Sequence, residues 1–146
     1  MSAKMNRKKR RKKVNWDAKL DKLWSLLVKH RAGWRCECCG SREKVLNSHH
    51  IYSRSNRSTR WDLTNGVCLC VGHHTFSTKF SAHKTPTEFT EWLYETKGEE
   101  FMNNLRVQAH AIAKLKPFEK EELYNELLTM KNEIDEKLKD NGKGQE

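Results

Sequence analysis

The sequence predicts an α+β fold, in which a small metal-binding core lies between an N-terminal helix and C-terminal helices. Apolar residues recur at helical spacing near both ends of the chain. The stretch between them, residues 34–83, holds all five cysteines and five of the seven histidines. With 146 residues, of which 36% are hydrophobic, the chain can bury one modest core and not two large ones.

Composition excludes several classes of protein. No apolar stretch reaches the roughly 18–20 residues that a membrane span needs, and no apolar segment follows the basic N-terminus as it does in a secretory signal. We therefore expect no membrane partner. Because no export signal is recognised, the five cysteines are expected to be reduced and free to bind metal, and a disulfide scaffold is not expected.

The positive charge is concentrated in the first half of the chain. Of a net charge of +10, residues 1–13 carry +8 with no acid, residues 14–83 carry +6 and residues 84–146 carry −4. Clustered cations that release condensed counterions favour nucleic acid as the partner, with solubility alone as the alternative. We expect residues 1–13 to be a disordered basic tail. Its cations expected to contact the DNA backbone are Lys8, Lys9, Arg10, Arg11, Lys12 and Lys13.

The first helix is predicted to begin after Asn15, a favoured N-cap residue, and to be closed by Gly33. Short β-like runs follow at 44–46, 51–52 and 67–69. The segment 53–62 is polar and basic, and is predicted to be an exposed loop.

Three further helices are predicted after residue 84. The first opens at Thr85-Pro86, with Glu88 in the place of a capping-box acid, and ends at Gly98. The second extends as far as Ile112, and the third starts at Pro117. The apolar seam of the third helix spans barely two heptads, which favours packing onto its own domain over dimerisation. We therefore expect a monomer.

Two short spacings of metal-ligating residues stand out. Residues 36–39 contain Cys-x2-Cys and residues 70–73 contain Cys-x2-His, and this spacing lets both ligands of a tight turn reach one ion. Cys38 competes with Cys39 as a ligand, and burial of all these cysteines as small apolar side chains is the alternative. The pattern predicts a structural Zn²⁺ bound by Cys36, Cys39, Cys70 and His73.

Histidines and an asparagine surround this frame in a fixed order. Ser-His-His-Ile occupies 48–51, Trp-Asp-Leu-Thr-Asn-Gly-Val-Cys-Leu-Cys occupies 61–70, and His-His occupies 73–74, followed by His83-x2-Pro86-x2-Phe89-x2-Trp92. With these motifs, residues 34–92 resemble the HNH endonucleases, which are His-Me finger (ββα-metal) nucleases. The resemblance is strongest to the small HNH proteins of bacteriophages and prophages.

The resemblance implies a ββα-metal core and three regions of the chain. Residues 1–13 would form the tail, residues 14–97 the nuclease domain with its N-terminal helix, and residues 98–146 a helical C-terminal extension. The implied activity is metal-dependent hydrolysis of duplex or branched DNA, which nicks the strand and leaves a 5′-phosphate. The implied setting is the cytoplasm of a bacterial host, where phage packaging or recombination proteins would be partners.

The resemblance also implies a role for individual residues. His50 matches the general base, and His49 and His74 match ligands of a catalytic divalent ion. Asn65 matches the residue that holds the loop aiming the base, and His83 is the candidate for a third ligand. Three loop arginines are expected at the phosphates: Arg60 as a catalytic clamp, and Arg54 and Arg57 as backbone contacts.

Nitrogen ligands allow Mn²⁺, Ni²⁺ or Co²⁺ to replace Mg²⁺ as the catalytic ion. The alternative function is a non-catalytic, zinc-containing protein that binds DNA or serves in phage assembly. That alternative explains the charge and the cysteines, but it does not require the histidines and the asparagine in this order.

Overall fold

The structure, a computed structural model, describes residues 10–143. Lys8, Lys9 and the rest of residues 1–9 therefore lie outside the described residues, as do residues 144–146. The described chain forms four α-helices and one two-stranded sheet. The elements are α1 (Trp16–Arg31), β1 (Leu46–His50), a 3-10 turn (Leu63–Asn65), β2 (Gly66–Cys70), a π-helical turn (Gly72–Phe76), α2 (Pro86–Lys97), α3 (Glu99–His110) and α4 (Pro117–Lys143).

Helix α1 begins where the sequence predicts. The side chain of Asn15 accepts a hydrogen bond from the backbone N–H of Ala18 at 3.1 Å, which caps the first turn. The helix ends at Arg31, and Gly33 then takes a positive φ of 66°, which a glycine adopts without strain. The apolar face of α1 is buried, at Leu20, Leu23, Trp24, Leu27 and Val28.

The sheet is an antiparallel pair in which His50 lies opposite Gly66 and His49 lies opposite Val67. The prediction of a strand at 51–52 is wrong, because the pairing with Gly66–Cys70 places β1 at Leu46–His50 instead. Beyond β1, the backbone N–H of Ile51 still bonds to the carbonyl of Asn65 at 2.9 Å. The two adjacent histidines therefore fall within a strand, and their side chains point to opposite faces.

Every residue of β2 is buried, because helices cover both of its faces. Cys68 packs with α1 and α4, whereas Val67 and Leu69 pack with α2 and α3. Gly66 is required at the start of β2, since a β-carbon there would lie 2.4 Å from Val28 Cγ2. The sheet is thus the middle layer between α1 and the α2–α3 pair.

The C-terminal helices share the core of the preceding residues. Met102 of α3 belongs to the cluster under β2, and Leu127 of α4 belongs to the cluster under α1. The prediction that the α4 seam packs onto its own domain is confirmed. The helices of residues 98–143 thus contribute side chains to the same two apolar clusters as the residues before them.

Two local predictions about these helices are wrong. The Thr85 hydroxyl caps no N–H of α2, because it bonds instead to the backbone N–H and C=O of Ser81, so the predicted capping box is not formed. Ile112 lies beyond the end of α3 and is fully exposed, because Ala111 adopts an extended backbone. None of the helices that the structure describes is long and apolar enough to cross a membrane.

Candidate metal centre and active site

The two cysteine-containing turns meet in one cluster, Cys36, Cys39, Cys70 and His73. His73 Nδ1 lies 3.6 Å from Cys36 Sγ and 3.3 Å from Cys70 Sγ, and the Sγ atoms of Cys39 and Cys70 are 4.0 Å apart. A tetrahedral Zn²⁺ with ordinary bond lengths places its sulfurs about 3.8 Å apart, and sulfur about 3.6 Å from nitrogen. The donor types and their spacing therefore fit a structural zinc ion.

Two neighbouring thiols of the first turn, Cys36 and Cys38, differ in how readily they ionise. Burial opposes ionisation of Cys36, but backbone N–H groups of Cys70, Cys39 and Cys38 lower its pKa to about 6. Burial and the neighbouring thiolates raise the pKa of Cys38 to about 12, so this thiol keeps its proton. Of the two competing cysteines, Cys39 is the one that joins the cluster. A thiolate, not a thiol, binds the metal.

Glu37 ties the first cysteine turn to the rest of the fold. Its carboxylate accepts a hydrogen bond from the backbone N–H of Cys68 at 2.6 Å and pairs with Lys97 Nζ at 3.1 Å. The turn is thus joined both to β2 and to α2. Sequence analysis assigned no role to Glu37, because its partners lie 31 and 60 residues away.

Three histidines form a second cluster on the side of β1 that faces α2, where the His49 ring lies 5.3 Å from that of Phe89. The ring nitrogens of His49, His74 and His83 lie within 4.8 Å of one another, and His74 Nε2 is 3.2 Å from His83 Nε2. Two nitrogens bound to one small divalent ion are about 3.0–3.4 Å apart, so the spacing of His74 and His83 fits such an ion, and His49 lies close enough to be a third ligand. Among the described residues, this is the only cluster of potential ligands besides the cysteine site.

A reversal of the chain brings His83 to His74. The helical turn that carries His74 ends at Phe76, and the chain then folds back on itself. Backbone hydrogen bonds from Ala82 N–H to His73 O and from His83 N–H to His74 O hold the two segments side by side. We expected that His83 could become a ligand only if the helix that carries His74 ended first. In the structure this helical turn ends at Phe76, seven residues before His83.

Burial disfavours the protonated form of two of these histidines, His49 and His74. Burial, and then the neighbouring His74 and His83, lower the pKa of His49 to about 3, and burial lowers the pKa of His74. Neutral imidazoles offer lone pairs to a metal without first losing a proton. An all-nitrogen donor set suits Mn²⁺, Co²⁺, Ni²⁺ or Zn²⁺ better than Mg²⁺, which prefers oxygen.

His50 points to the opposite face of β1 and is held there by α1. Its ring stacks on Trp24 with centroids 3.9 Å apart and an angle of 12° between the planes. His50 Nε2 lies 2.9 Å from the backbone carbonyl of Arg60, which can only accept, so Nε2 carries the hydrogen. The basic lone pair of neutral His50 is therefore on Nδ1. Burial lowers the pKa of His50, so the ring is neutral near pH 7.

The Arg60 side chain is engaged by α1. Its Nε and Nη2 bond to the two carboxylate oxygens of Asp21 at 3.0 and 2.7 Å, and the side chain is only 13% exposed. Burial would raise the pKa of Asp21, but hydrogen bonds from Arg60 and Trp61 lower it, so the pair is ionised. The expected phosphate clamp is thus occupied, and Arg60 contributes its carbonyl to His50 instead.

The other basic residues expected at DNA remain exposed where the structure describes them. Arg54 Nη2 also lies 3.2 Å from Asp21 Oδ2, but the Arg54 side chain is 66% exposed and lines a cleft of about 830 Å³ together with His49, His50, His74 and His83. Arg57 and residues 10–13 are exposed as well. Arg54 is therefore better placed than Arg60 to meet an anion at the histidines.

Asn65 holds both ends of the loop that carries these arginines. The side chain is fully buried; its Oδ1 accepts from the backbone N–H of Tyr52 at 2.8 Å, and its Nδ2 donates to the carbonyls of Tyr52 and Thr59 at 3.0 and 3.1 Å. The loop is closed at its base, and His50 and the Arg60 carbonyl are kept within hydrogen-bonding distance.

Sequence reasoning missed the residues of α1 that support this site. Trp24 and Asp21 contact His50 and Arg60, and the Arg31 guanidinium donates to the carbonyls of Leu63 and Gly66 on either side of Asn65. No local signal marks Asp21 or Arg31, because α1 carries other charged residues, such as Asp17, Lys19 and Lys22. Comparison of the chain with protein-family models, with curated proteins and with solved structures finds no match.

Proposed function

We propose that the protein is a metal-dependent endonuclease of the HNH (His-Me finger) type, which hydrolyses phosphodiester bonds of DNA. The observation that carries this proposal is the shared cleft: although the rings of His49 and His50 leave opposite faces of β1, His50 is the last residue of the strand, and it and the three-histidine cluster line the same space of about 830 Å³. A base and a metal-ligand set on one cleft are what hydrolysis of a phosphodiester requires.

The order of elements supports the ββα-metal assignment of this site. Two antiparallel strands carry His49 and His50 on the first and Asn65 immediately before the second, and a helical turn with His74 follows. This order matches the motif order that the sequence resembles. The cysteine cluster joins the end of β2 to the chain preceding β1, as a structural zinc frame would.

His50 is suited to take a proton from the attacking water. Because the Arg60 carbonyl fixes the hydrogen on Nε2, the lone pair is on Nδ1. The stacked Trp24 ring prevents the imidazole from rotating. A base held in one tautomer and one orientation is ready for proton transfer in the bound complex.

His49, His74 and His83 would hold the divalent ion, which supplies Lewis-acid stabilisation of the charge that develops on the phosphate and the leaving 3′ oxygen. Arg54, exposed at the rim of the same cleft, would position the phosphate from the other side. Cleavage at the 3′ oxygen leaves a 5′-phosphate. One such site in a chain cuts one strand, so a nick is the expected product.

Nicking of a supercoiled plasmid in the presence of Mn²⁺, Mg²⁺, Ni²⁺ or Co²⁺ tests the proposal. His50→Ala is expected to lower the rate by about 10²–10⁴-fold while DNA affinity and bound zinc stay at the wild-type level. His110→Ala is the matched control, because this histidine is exposed on α3 outside the cleft. Nicking by His50→Ala at the wild-type rate would refute the role of His50. DNA binding with no nicking in any of these metals would favour the non-catalytic alternative.

A further inference from the structure

We propose that the cleft beside the histidine cluster also binds one unpaired nucleotide of the DNA strand, with its base stacked on Tyr94. This inference rests on the proposed nuclease function and names its substrate class as DNA that is single-stranded or locally unpaired at the cut. It is carried by the shape of the cleft, by the distribution of charge along its walls and by an exposed aromatic ring.

Helix α2 forms a wall of the cleft that extends well beyond the histidine cluster. Pro86, Thr90 and Tyr94 all line the cleft and are spaced four residues apart, so they lie in a row along one side of the helix. Eight residues of helix rise by about 12 Å. Pro86 follows His83 closely, and Tyr94 is therefore at the distal end of the cleft. A nucleotide next to the scissile phosphate reaches Tyr94, whereas the phosphate itself does not.

The two sides of the cleft, one formed by α2 and one by the loop after β1, differ in charge. The α2 wall and the floor beneath it are uncharged, and the floor includes the buried apolar side chains of Phe89 and Leu93. The one arginine or lysine among the residues that line the cleft is Arg54, which belongs to the loop after β1 and not to α2. Phosphates are therefore expected along the Arg54 side, and a base along the α2 side. Tyr94 is 39% exposed, so this aromatic residue is accessible to a base that enters the cleft.

A base that stacks on Tyr94 cannot at the same time be paired with the opposite DNA strand. A base inside a duplex is stacked and paired, so it reaches a side chain in a cleft only after it has been extruded. The energetic penalty is smallest where the base is mismatched or already single-stranded. The cleft should thus select such DNA over a fully paired duplex of the same sequence.

Fluorescence anisotropy without added divalent ion tests this inference, since binding is then measured without cleavage. The probes are a fully paired 30-base-pair duplex and the same duplex with three unpaired nucleotides at its centre. Wild-type protein should bind the unpaired probe at least about fivefold more tightly. Tyr94→Ala should weaken binding to the unpaired probe by roughly 5- to 100-fold and to the paired probe by less than about twofold.

Two control variants sharpen the result. Tyr94→Phe keeps the ring and should keep the preference, and Phe118→Ala removes an exposed aromatic residue of α4 that does not line the cleft and should change neither affinity. Equal wild-type affinity for both probes, or an equal loss for both in Tyr94→Ala, would overturn the inference. Plasmid nicking without this preference overturns the subsite and leaves the nuclease proposal standing. The preference without any nicking overturns the nuclease proposal instead.

Discussion

Replacing Asn65 tests whether the arginine-bearing loop and His50 depend on one buried amide. In Asn65→Ala, three hydrogen bonds are lost at once: the one accepted from the Tyr52 N–H and the two donated to the carbonyls of Tyr52 and Thr59. Because Asn65 is fully buried, water replaces these bonds poorly. We expect the variant to be strongly destabilised even though no charge and little apolar surface is removed.

The magnitude follows from the count of bonds. A buried hydrogen bond contributes about 1 kcal/mol net, and a partner group left unsatisfied costs about 1–3 kcal/mol more. Three bonds whose partners belong to a loop that relaxes in part give a loss of about 3–5 kcal/mol in the free energy of unfolding. Domains of this size are commonly stable by only about 5–15 kcal/mol.

Urea denaturation of the zinc-loaded protein, followed by tryptophan fluorescence, measures this loss. Asn104→Ala is the matched control, since Asn104 is an exposed helical residue of α3, and its change should stay within about 0.5 kcal/mol. Asn65→Asp tests the acceptor Oδ1 and the donor Nδ2 separately. The aspartate can still accept the hydrogen bond from the Tyr52 N–H, but its second oxygen faces the carbonyl oxygens of Tyr52 and Thr59, to which it cannot donate when ionised. The difference in free energy of unfolding between Asn65→Asp and the wild type should become smaller as the pH is lowered from 7 to 5, because the protonated acid can donate a hydrogen bond.

A loss below about 1 kcal/mol in Asn65→Ala would refute the reasoning. It would mean that the loop is held by other contacts and that the three bonds are replaced by water. An Asn65→Asp variant whose deficit is the same at both pH values would refute the assignment of Nδ2 as a donor to the two carbonyls.

The remaining predictions concern zinc, pH and the tail. Cys36→Ser should lose the bound zinc seen by elemental analysis and melt roughly 10 °C lower or more, whereas Cys38→Ser should keep its zinc; zinc retained in Cys36→Ser would contradict the cluster. Because burial lowers the pKa of His49 to about 3, this ring takes up a proton near pH 6.5 only in the unfolded chain, so stability without added divalent ion should fall by about 1–2 kcal/mol from pH 7 to pH 5. In His49→Gln that part of the fall should disappear; an unchanged pH profile would contradict it. Deleting residues 1–13 should reduce the salt dependence of DNA binding. If about five cations contact phosphates, a fourfold rise in salt concentration lowers the DNA affinity of the full-length protein by a factor roughly 10²–10³ larger than for the shortened one. Equal slopes of log affinity against log salt concentration for the two proteins would exclude DNA binding by the tail.

The amino-acid sequence alone determined the features that depend on local spacing. The cap residue Asn15, followed by apolar residues three and four apart, fixed the start of α1 at Trp16. A spacing of two residues placed Cys36 with Cys39 and Cys70 with His73, because both ligands of such a turn reach one ion. Adjacent histidines on a strand must point to opposite faces, which separates His49 from His50.

Only the tertiary structure decided the contacts between residues far apart in the chain. Whether His83 joins His74 depends on where the helical turn ends, and the backbone hydrogen bonds of Ala82 and His83 to residues nine positions earlier fix that point. Arg60 is equally suited by type to a phosphate and to a carboxylate, and Asp21, 39 residues earlier, captures it. The stack of Trp24 on His50 likewise exists only because α1 packs across β2 at Gly66. Such choices follow from packing and burial, which local patterns do not encode.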